Sequence, residues 1–230
     1  MIKLFTKLFF KKTLPGVIDM GLTSLFFEME NKNVLIIGTG SVGIRRSKRF
    51  LDSGANVSII THGIDPEIKE ELEQKGAEFF NDSDRDELLE KCDLVVIATD
   101  NLELNEEIAK KAGDKLVNCA SNISLSNVIV PSTFKLGSVT VSLYTENKSP
   151  LMAKELRKKI QSVISPEDIL NIELQENVRQ ILKESVDSQK ERKEVMIKIK
   201  ENPTVQGYLK DGDLESATAF VKKNFLNYPV

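Results

Sequence analysis

The stretch Asn33–Ser47, NVLIIGTGSVGIRRS, holds the residue types and spacings most able to do chemistry. An apolar run, Val34–Ile37, enters Gly38-Thr39-Gly40-Ser41-Val42-Gly43, and a helix-forming segment follows. Backbone N–H groups at a helix N-terminus can hold a pyrophosphate. In this pattern Gly38 permits the tight turn, Gly40 lets the phosphate approach the backbone, and Gly43 lets helix and strand pack closely. Ser47, one turn further on and also small, fits the same close packing. The pattern predicts a dinucleotide site; the plain alternative is a glycine-rich turn with no ligand. A second strand ends at Ile59-Ile60-Thr61-His62-Gly63, without the carboxylate that commonly bonds the ribose of NAD. Preference between NAD and NADP therefore stays open, with Thr61 or His62 as ribose contacts and Asp65 better explained as a helix cap. Arg45 and Arg46 open the first helix and oppose its dipole, which suits either a bound anion or a solvated basic face. Further along, "IATDNLELN" (Ile97–Asn105) leaves a buried strand at its carboxyl edge, where ligands sit in open α/β sheets. That places Thr99 and Asp100 beside the cofactor, with Asp100 also suited to cap the next helix. Asn118, Cys119 and Ser121 form a second polar cluster at a strand end.

These residues need a scaffold, and the chain alternates accordingly. Strands are expected at Val34–Ile37, Val57–Ile60, Glu78–Phe80, Leu94–Ala98 and Lys115–Ala120. Helices are expected at Val42–Ser53, Pro66–Lys75, Asp86–Lys91 and Leu102–Ala112. Alternation at this spacing predicts a Rossmann-type, doubly wound parallel sheet. The grammar then changes. Asn127–Val130 and the alternating Ser138–Leu143 read as antiparallel strands joined around Gly137. After Ser149-Pro150 the chain reads helical: Leu151–Val163, one long or two consecutive helices from Pro166 to about Lys200, and Leu214–Phe225 as the last. The charged run "DSQKERKE" (Asp187–Glu194) suits a solvated helix face or a helix break. The expected organisation is an N-terminal extension (1–19), a dinucleotide-binding domain (20–120), a β segment (121–150) and a helical C-terminal domain (151–230).

The bulk numbers set limits. The 230 residues are 40% hydrophobic and 29% charged with a net charge of −3, which supports a sizeable core and gives no reason to expect nucleic-acid binding. One histidine excludes a His-rich metal centre, so no metal ligands are assigned. Cys92 and Cys119 show no paired spacing, and a reducing cytoplasm is the simplest location. No apolar run approaches a membrane span. The basic, aromatic start "MIKLFTKLFFKKTLPGVIDM" is too broken by Lys7 for a signal peptide. It reads as an amphipathic arm or, the favoured reading, as an extension ahead of a start at Met20.

Four stretches in order, "NVLIIGTGSVGIRRSKRFLDSGANVSIIT", "DLVVIATDNLELNEEIAKKA", "LVNCASNISLSNVIVPS" and "SPLMAKELRKKI", resemble the precorrin-2 dehydrogenases of siroheme synthesis, including the N-terminal half of siroheme synthase. The resemblance runs from about Leu25 to Ile160. It implies an NAD-binding domain, a β segment used in homodimerisation and a helical C-terminal domain. The implied reaction is NAD-dependent oxidation of the tetrapyrrole precorrin-2 to sirohydrochlorin, and some members also insert ferrous iron. It implies that Ser41, Val42, His62 and Gly63 touch NAD, beside Gly38, Gly40, Gly43 and Thr99. Asp100, Asn118 and Ser121 are the candidate catalytic residues. The polycarboxylate substrate calls for cations, for which Lys148, Lys154 and Arg157 are candidates; the alternative is the solvated stripe of a helix with Leu151, Met152, Leu156 and Ile160 as core.

Two departures stand out. Ser121 occupies the place of a family aspartate implicated in proton removal and metal insertion, and a serine cannot act as a carboxylate base. The family's glycine-rich turn before Ser-Pro is replaced by Tyr144-Thr145-Glu146-Asn147-Lys148. Hydride transfer, carried by the cofactor, survives both changes, whereas ferrochelatase activity is put in doubt. Competing readings are an NAD-binding regulatory domain and a paralogue that binds tetrapyrrole without turnover.

Overall fold

The computed structural model describes residues 21–146 and 148–226. The extension expected over 1–19 and Asn147 of the substituted turn lie outside the described residues.

Five parallel strands form one sheet in the order β3-β2-β1-β4-β5: β1 (Asn33–Ile37), β2 (Asn56–Ile60), β3 (Glu78–Phe80), β4 (Leu94–Ile97) and β5 (Leu116–Cys119). The helices between them are α1 (Ser41–Leu51), α2 (Pro66–Gln74), α3 (Arg85–Lys91) and α4 (Leu102–Lys111). The order reverses beside β1, so the carboxyl ends of β1 and β4 make the crevice that such sheets use for ligands. The central strands are apolar because both their faces are covered. Leu35, Ile36, Ile59, Val95, Val96 and Ile97 are wholly buried. On one face Leu35, Ile37, Val95, Ile97 and Val117 pack with Leu89 of α3 and Ile108 of α4. Asp65 caps α2 as expected, accepting from the N–H groups of Glu67 and Ile68.

The described chain divides between Ile129 and Val130 into two compact units. Residues 121–129, expected with the β segment, stay with the sheet. The Asn127 side chain accepts from Val117 N and donates to Lys115 O, and Asn127 N and Val128 N both donate to Val117 O. These bonds hold 127–128 along β5, so Asn127–Val130 is not the strand expected there. The antiparallel pair is instead β6 (Ser132–Leu136) with β7 (Val139–Leu143), Leu136 opposite Val139 across a two-residue turn at Gly137. Gly137 has φ +53, and a Cβ there would meet the Ile169 side chain at 2.4 Å.

In the second unit, α5 (Pro150–Val163) is followed by α6 (Pro166–Ser185), α7 (Gln189–Lys200), α8 (Pro203–Lys210) and α9 (Leu214–Phe225). The core of this unit is Leu174, Val178, Leu182, Ile199, Val205, Leu209, Ala217 and Val221. The run Asp187–Glu194 begins in a helix break at Asp187 and Ser188 and continues as the first turns of α7, with the Arg192 guanidinium donating back to Val186 O and Asp187 O. The short helix α8 was not expected from the sequence. Its start is signalled by Asn202, which accepts from Thr204 N and Val205 N ahead of Pro203, but Gly207 in its middle weakens the local helical signal.

Candidate functional site

The glycine loop joins β1 to α1. Gly38 has φ +96, and a Cβ there would lie 2.6 Å from Ala98 O of the neighbouring strand end. A Cβ on Gly43 would lie 2.0 Å from Gly38 O. Both glycines are thus demanded by the protein itself. Ser47 completes this close approach, fully buried with its hydroxyl donating to Gly43 O.

Gly40 differs. Its backbone is ordinary, φ −63 and ψ 177, and a Cβ would meet nothing within 4 Å. It is the N-cap of α1, and no side chain caps that helix. The first intrahelical bond runs from Ile44 N to Gly40 O. The N–H groups of Ser41, Val42 and Gly43 therefore precede the helical ladder. A glycine that no protein contact requires, at an uncapped helix start, fits a dinucleotide pyrophosphate.

The loop after β2 is fastened to the glycine loop. Gly38 N donates to Ile60 O at 2.9 Å, Thr39 Oγ1 lies 2.6 Å from Thr61 Oγ1, and it donates to Gly63 O at 2.8 Å. His62 projects outward, its Nε2 3.0 Å from Asp82 Oδ2. A cavity of about 260 Å³ adjoins this loop, lined by Thr61, His62, Gly63, Lys69, Phe79 and Asn81 among others.

At the ends of β4 and β5 the structure joins two of the expected residues through a third that the sequence reading missed. Asn105 of α4 is fully buried. Its Nδ2 donates to Thr99 O at 3.0 Å and to Ser121 Oγ at 2.9 Å, and its Oδ1 accepts from Thr99 Oγ1. Asn105 shares the inward stripe of α4 with Ile108 and, just past the helix end, the C-cap Ala112. A polar residue on that apolar stripe was the signal available in the sequence. Because Asn105 gives a proton to Ser121 Oγ, the Ser121 hydroxyl is left to donate. Cys119 Sγ lies 3.5 Å from the same oxygen.

Asp100 does not cap α4. Asn101 does, its side chain accepting from Leu104 N, and Asp100 stands exposed one residue earlier. Nor does Asn118 join the Thr99–Asn105–Ser121 group. It is buried, its Nδ2 donates to Val128 O at 2.8 Å, and its Oδ1 has no hydrogen-bond partner among the described residues. Arg45 is exposed, whereas Arg46 is half-buried with Nη1 buried and unbonded. Burial first, then the neighbouring Arg45 and Arg49, push the Arg46 guanidinium down to about 10.

The remaining candidates lie in the second unit. Lys148 is ion-paired with Glu146, Lys154 is exposed on α5, and the Arg157 guanidinium lies 5.3 Å from the Phe134 ring centroid. Glu146 adopts φ +51, so the substituted turn keeps a left-handed residue without glycine there. Leu151 and Met152, core positions of α5 in the alternative solvated-stripe reading, are 68% and 47% exposed. Among the described residues, no cluster of three or more His, Cys, Asp or Glu side chains is arranged to hold a metal ion.

A family model described as putative NAD(P)-binding matches residues 25–132, the span that contains the glycine loop and both strand-end clusters. Over 149 residues the chain is 34% identical to a precorrin-2 dehydrogenase of Bacillus subtilis, covering 64% of this chain and 92% of that relative. It is 33% identical to a putative precorrin-2 dehydrogenase of Methanocaldococcus jannaschii, covering 81% of this chain and 93% of that one. The chain belongs to the precorrin-2 dehydrogenase family. The solved structure titled SirC, precorrin-2 dehydrogenase, aligns with a TM-score of 0.69 over 88% of this chain and all of that one; at 21% identity this bears on the fold. The Thr99–Asn105–Ser121 cluster borders the same carboxyl edge as the glycine loop.

Proposed function

We infer that the protein is an NAD-dependent precorrin-2 dehydrogenase, oxidising precorrin-2 to sirohydrochlorin in siroheme synthesis. The observation that carries this is the uncapped α1 N-terminus, with open space at Gly40, at the carboxyl edge of the sheet of a family member. NAD supplies the hydride acceptor. The N–H groups of Ser41, Val42 and Gly43 hold its pyrophosphate, and Thr61, His62 and Gly63 border its ribose. Thr99, held by Asn105, borders the crevice between β1 and β4 and fixes its shape.

The oxidation removes a hydride and a proton from the macrocycle. Ser121 is the wrong group to take that proton, since its oxygen already accepts from Asn105 and no carboxylate among the described residues is bonded to it. Its role in this reading is to donate a hydrogen bond that orients the substrate. The proton passes to water at the exposed strand ends, with the exposed Asp100 as the nearest candidate acceptor in sequence. Ferrochelation has weaker support. Ser121 replaces the carboxylate, and the single histidine of the chain faces Asp82.

Lys148, Lys154 and Arg157 are proposed to meet substrate carboxylates, Arg157 already braced on Phe134. The β6–β7 pair is proposed to complete a homodimer, because a two-stranded hairpin has little stability alone. A cytoplasmic location fits two unpaired, buried cysteines. The second reading, a paralogue that binds nucleotide or tetrapyrrole without turnover, is favoured by Ser121 and by Glu146 in the substituted turn.

The test is anaerobic incubation of the full chain with enzymatically generated precorrin-2, with and without NAD, followed by addition of ferrous iron. Sirohydrochlorin absorbance that grows only with NAD supports the dehydrogenase. A further enzyme-dependent shift to siroheme would restore the chelatase. Nucleotide binding without oxidation moves the assignment to the non-catalytic paralogue.

A further inference from the structure

The end of β2 lacks the carboxylate that dinucleotide folds use on the adenosine ribose, yet the structure brings a carboxylate beside it from the turn after β3. Thr61 and Gly63 are bonded to each other and to Thr39. His62 is the residue of this loop that projects away, 83% exposed at its side chain, with Nε2 3.0 Å from Asp82 Oδ2. Asp82 opens the short 3-10 turn after β3. The two strands are parallel neighbours with Ile60 opposite Phe80. His62 and Asp82 thus each lie two residues beyond that matched pair, and their side chains meet over the same rim. The cavity of about 260 Å³ beside them is lined by Lys69 as well as His62. Lys69 Nζ is 5.2 Å from the Phe79 ring centroid.

We propose that Asp82 is the carboxylate by which this protein prefers NAD to NADP, and that His62 is its positioning residue. The proposal rests on the dinucleotide reading of the glycine loop. That fold puts the adenosine ribose just outside the carboxyl end of β2, the loop that Gly38 and Thr39 bind here. His62 engages Oδ2 and leaves Oδ1 of Asp82 to accept from a ribose hydroxyl. The same carboxylate repels a 2′-phosphate. Folding energy does not account for the pair, because an exposed polar contact of this kind contributes little to stability. Lys69 shows what Asp82 acts against: without the carboxylate, a cavity lined by a lysine and a histidine would accept a phosphate.

The experiment is calorimetric titration of the full chain with NAD and, separately, NADP. Wild type is expected to bind NAD at least about tenfold tighter than NADP. Asp82→Asn should tighten NADP about tenfold, the order expected for one charge removed from within ~6 Å of a phosphate dianion at the dielectric of water, and weaken NAD severalfold. His62→Ala should move the ratio the same way by a smaller factor at unchanged thermal midpoint, and His62→Gln, which keeps a donor, should restore part of it. Lys69→Ala added to Asp82→Asn should remove the gained NADP affinity. Equal affinities in wild type, or a ratio that Asp82→Asn leaves within twofold, would overturn the proposal while leaving NAD binding standing. Failure of wild type to bind either nucleotide would overturn the dinucleotide reading, and this inference with it.

Discussion

Gly40→Asp should make the free protein slightly more stable while abolishing its cofactor affinity. The backbone at Gly40 is allowed for any residue, and a Cβ has open space. An aspartate at this N-cap can accept from the N–H groups of Val42 and Gly43 and complements the helix dipole. Together these effects stabilise by about 0.5–1 kcal/mol, or about 2 °C in a chain of this size. Those same N–H groups are the ones proposed for the pyrophosphate. Losing two charge-assisted hydrogen bonds costs about 3 kcal/mol or more. Placing a carboxylate ~4 Å from a phosphate adds about 1 kcal/mol of repulsion even at the dielectric of water. The total of about 4 kcal/mol weakens NAD binding roughly a thousandfold. Calorimetry with NAD reads the affinity, and thermal unfolding without nucleotide reads the stability. Gly43→Ala is the internal contrast: its Cβ would lie 2.0 Å from Gly38 O, so it should lose at least ~3 kcal/mol of stability by overpacking. If Gly40→Asp binds NAD like wild type, the cofactor does not sit at this loop. If it unfolds like Gly43→Ala, the helix start has been misread.

Asn105→Leu should cost about 1–3 kcal/mol of stability by stripping partners from Thr99 and Ser121; it should lower kcat for precorrin-2 oxidation more than it weakens NAD binding, and an unchanged kcat would remove this cluster from the site. Ser121→Asp should preserve or raise dehydrogenation and create measurable siroheme formation from ferrous iron; a folded but inactive variant would show that the Ser121 hydroxyl has a role a carboxylate cannot fill. Arg46→Met, which replaces a half-buried guanidinium with an unbonded Nη1, should leave the thermal midpoint equal or about 2 °C higher; a fall of several degrees would mean that the cation has a partner in the assembled protein. The Cys92 thiol, pushed up to about 11 by burial, should not react with a thiol reagent at pH 8 until denaturant is added, as a thiolate is the reactive species; fast labelling of the folded protein would contradict its burial.

What the sequence determined by itself is whatever short spacings determine. The glycine loop was legible because the tight turn, the close packing at Gly43 and the open Gly40 fall within one strand-to-helix joint. The alternation of Val34–Ile37, Val57–Ile60 and Leu94–Ala98 with polar-faced helices carried the parallel sheet for the same reason: apolar periods of two faces or one stripe are local properties of backbone geometry. Cap residues such as Asp65 act within three positions and were equally readable.

Tertiary structure decided the pairings between distant segments. Asn105 bonds Ser121 across 16 residues of chain, and His62 meets Asp82 only because β2 and β3 lie side by side in register. Asn118 looked like a site residue at a strand end, but its amide is engaged by Val128 O. The strand expected at Asn127–Val130 was displaced because Asn127 and Val128 found their hydrogen-bond partners on β5. A side chain's type states which bonds it can make, and the fold alone brings the partner within about 3 Å that consumes them.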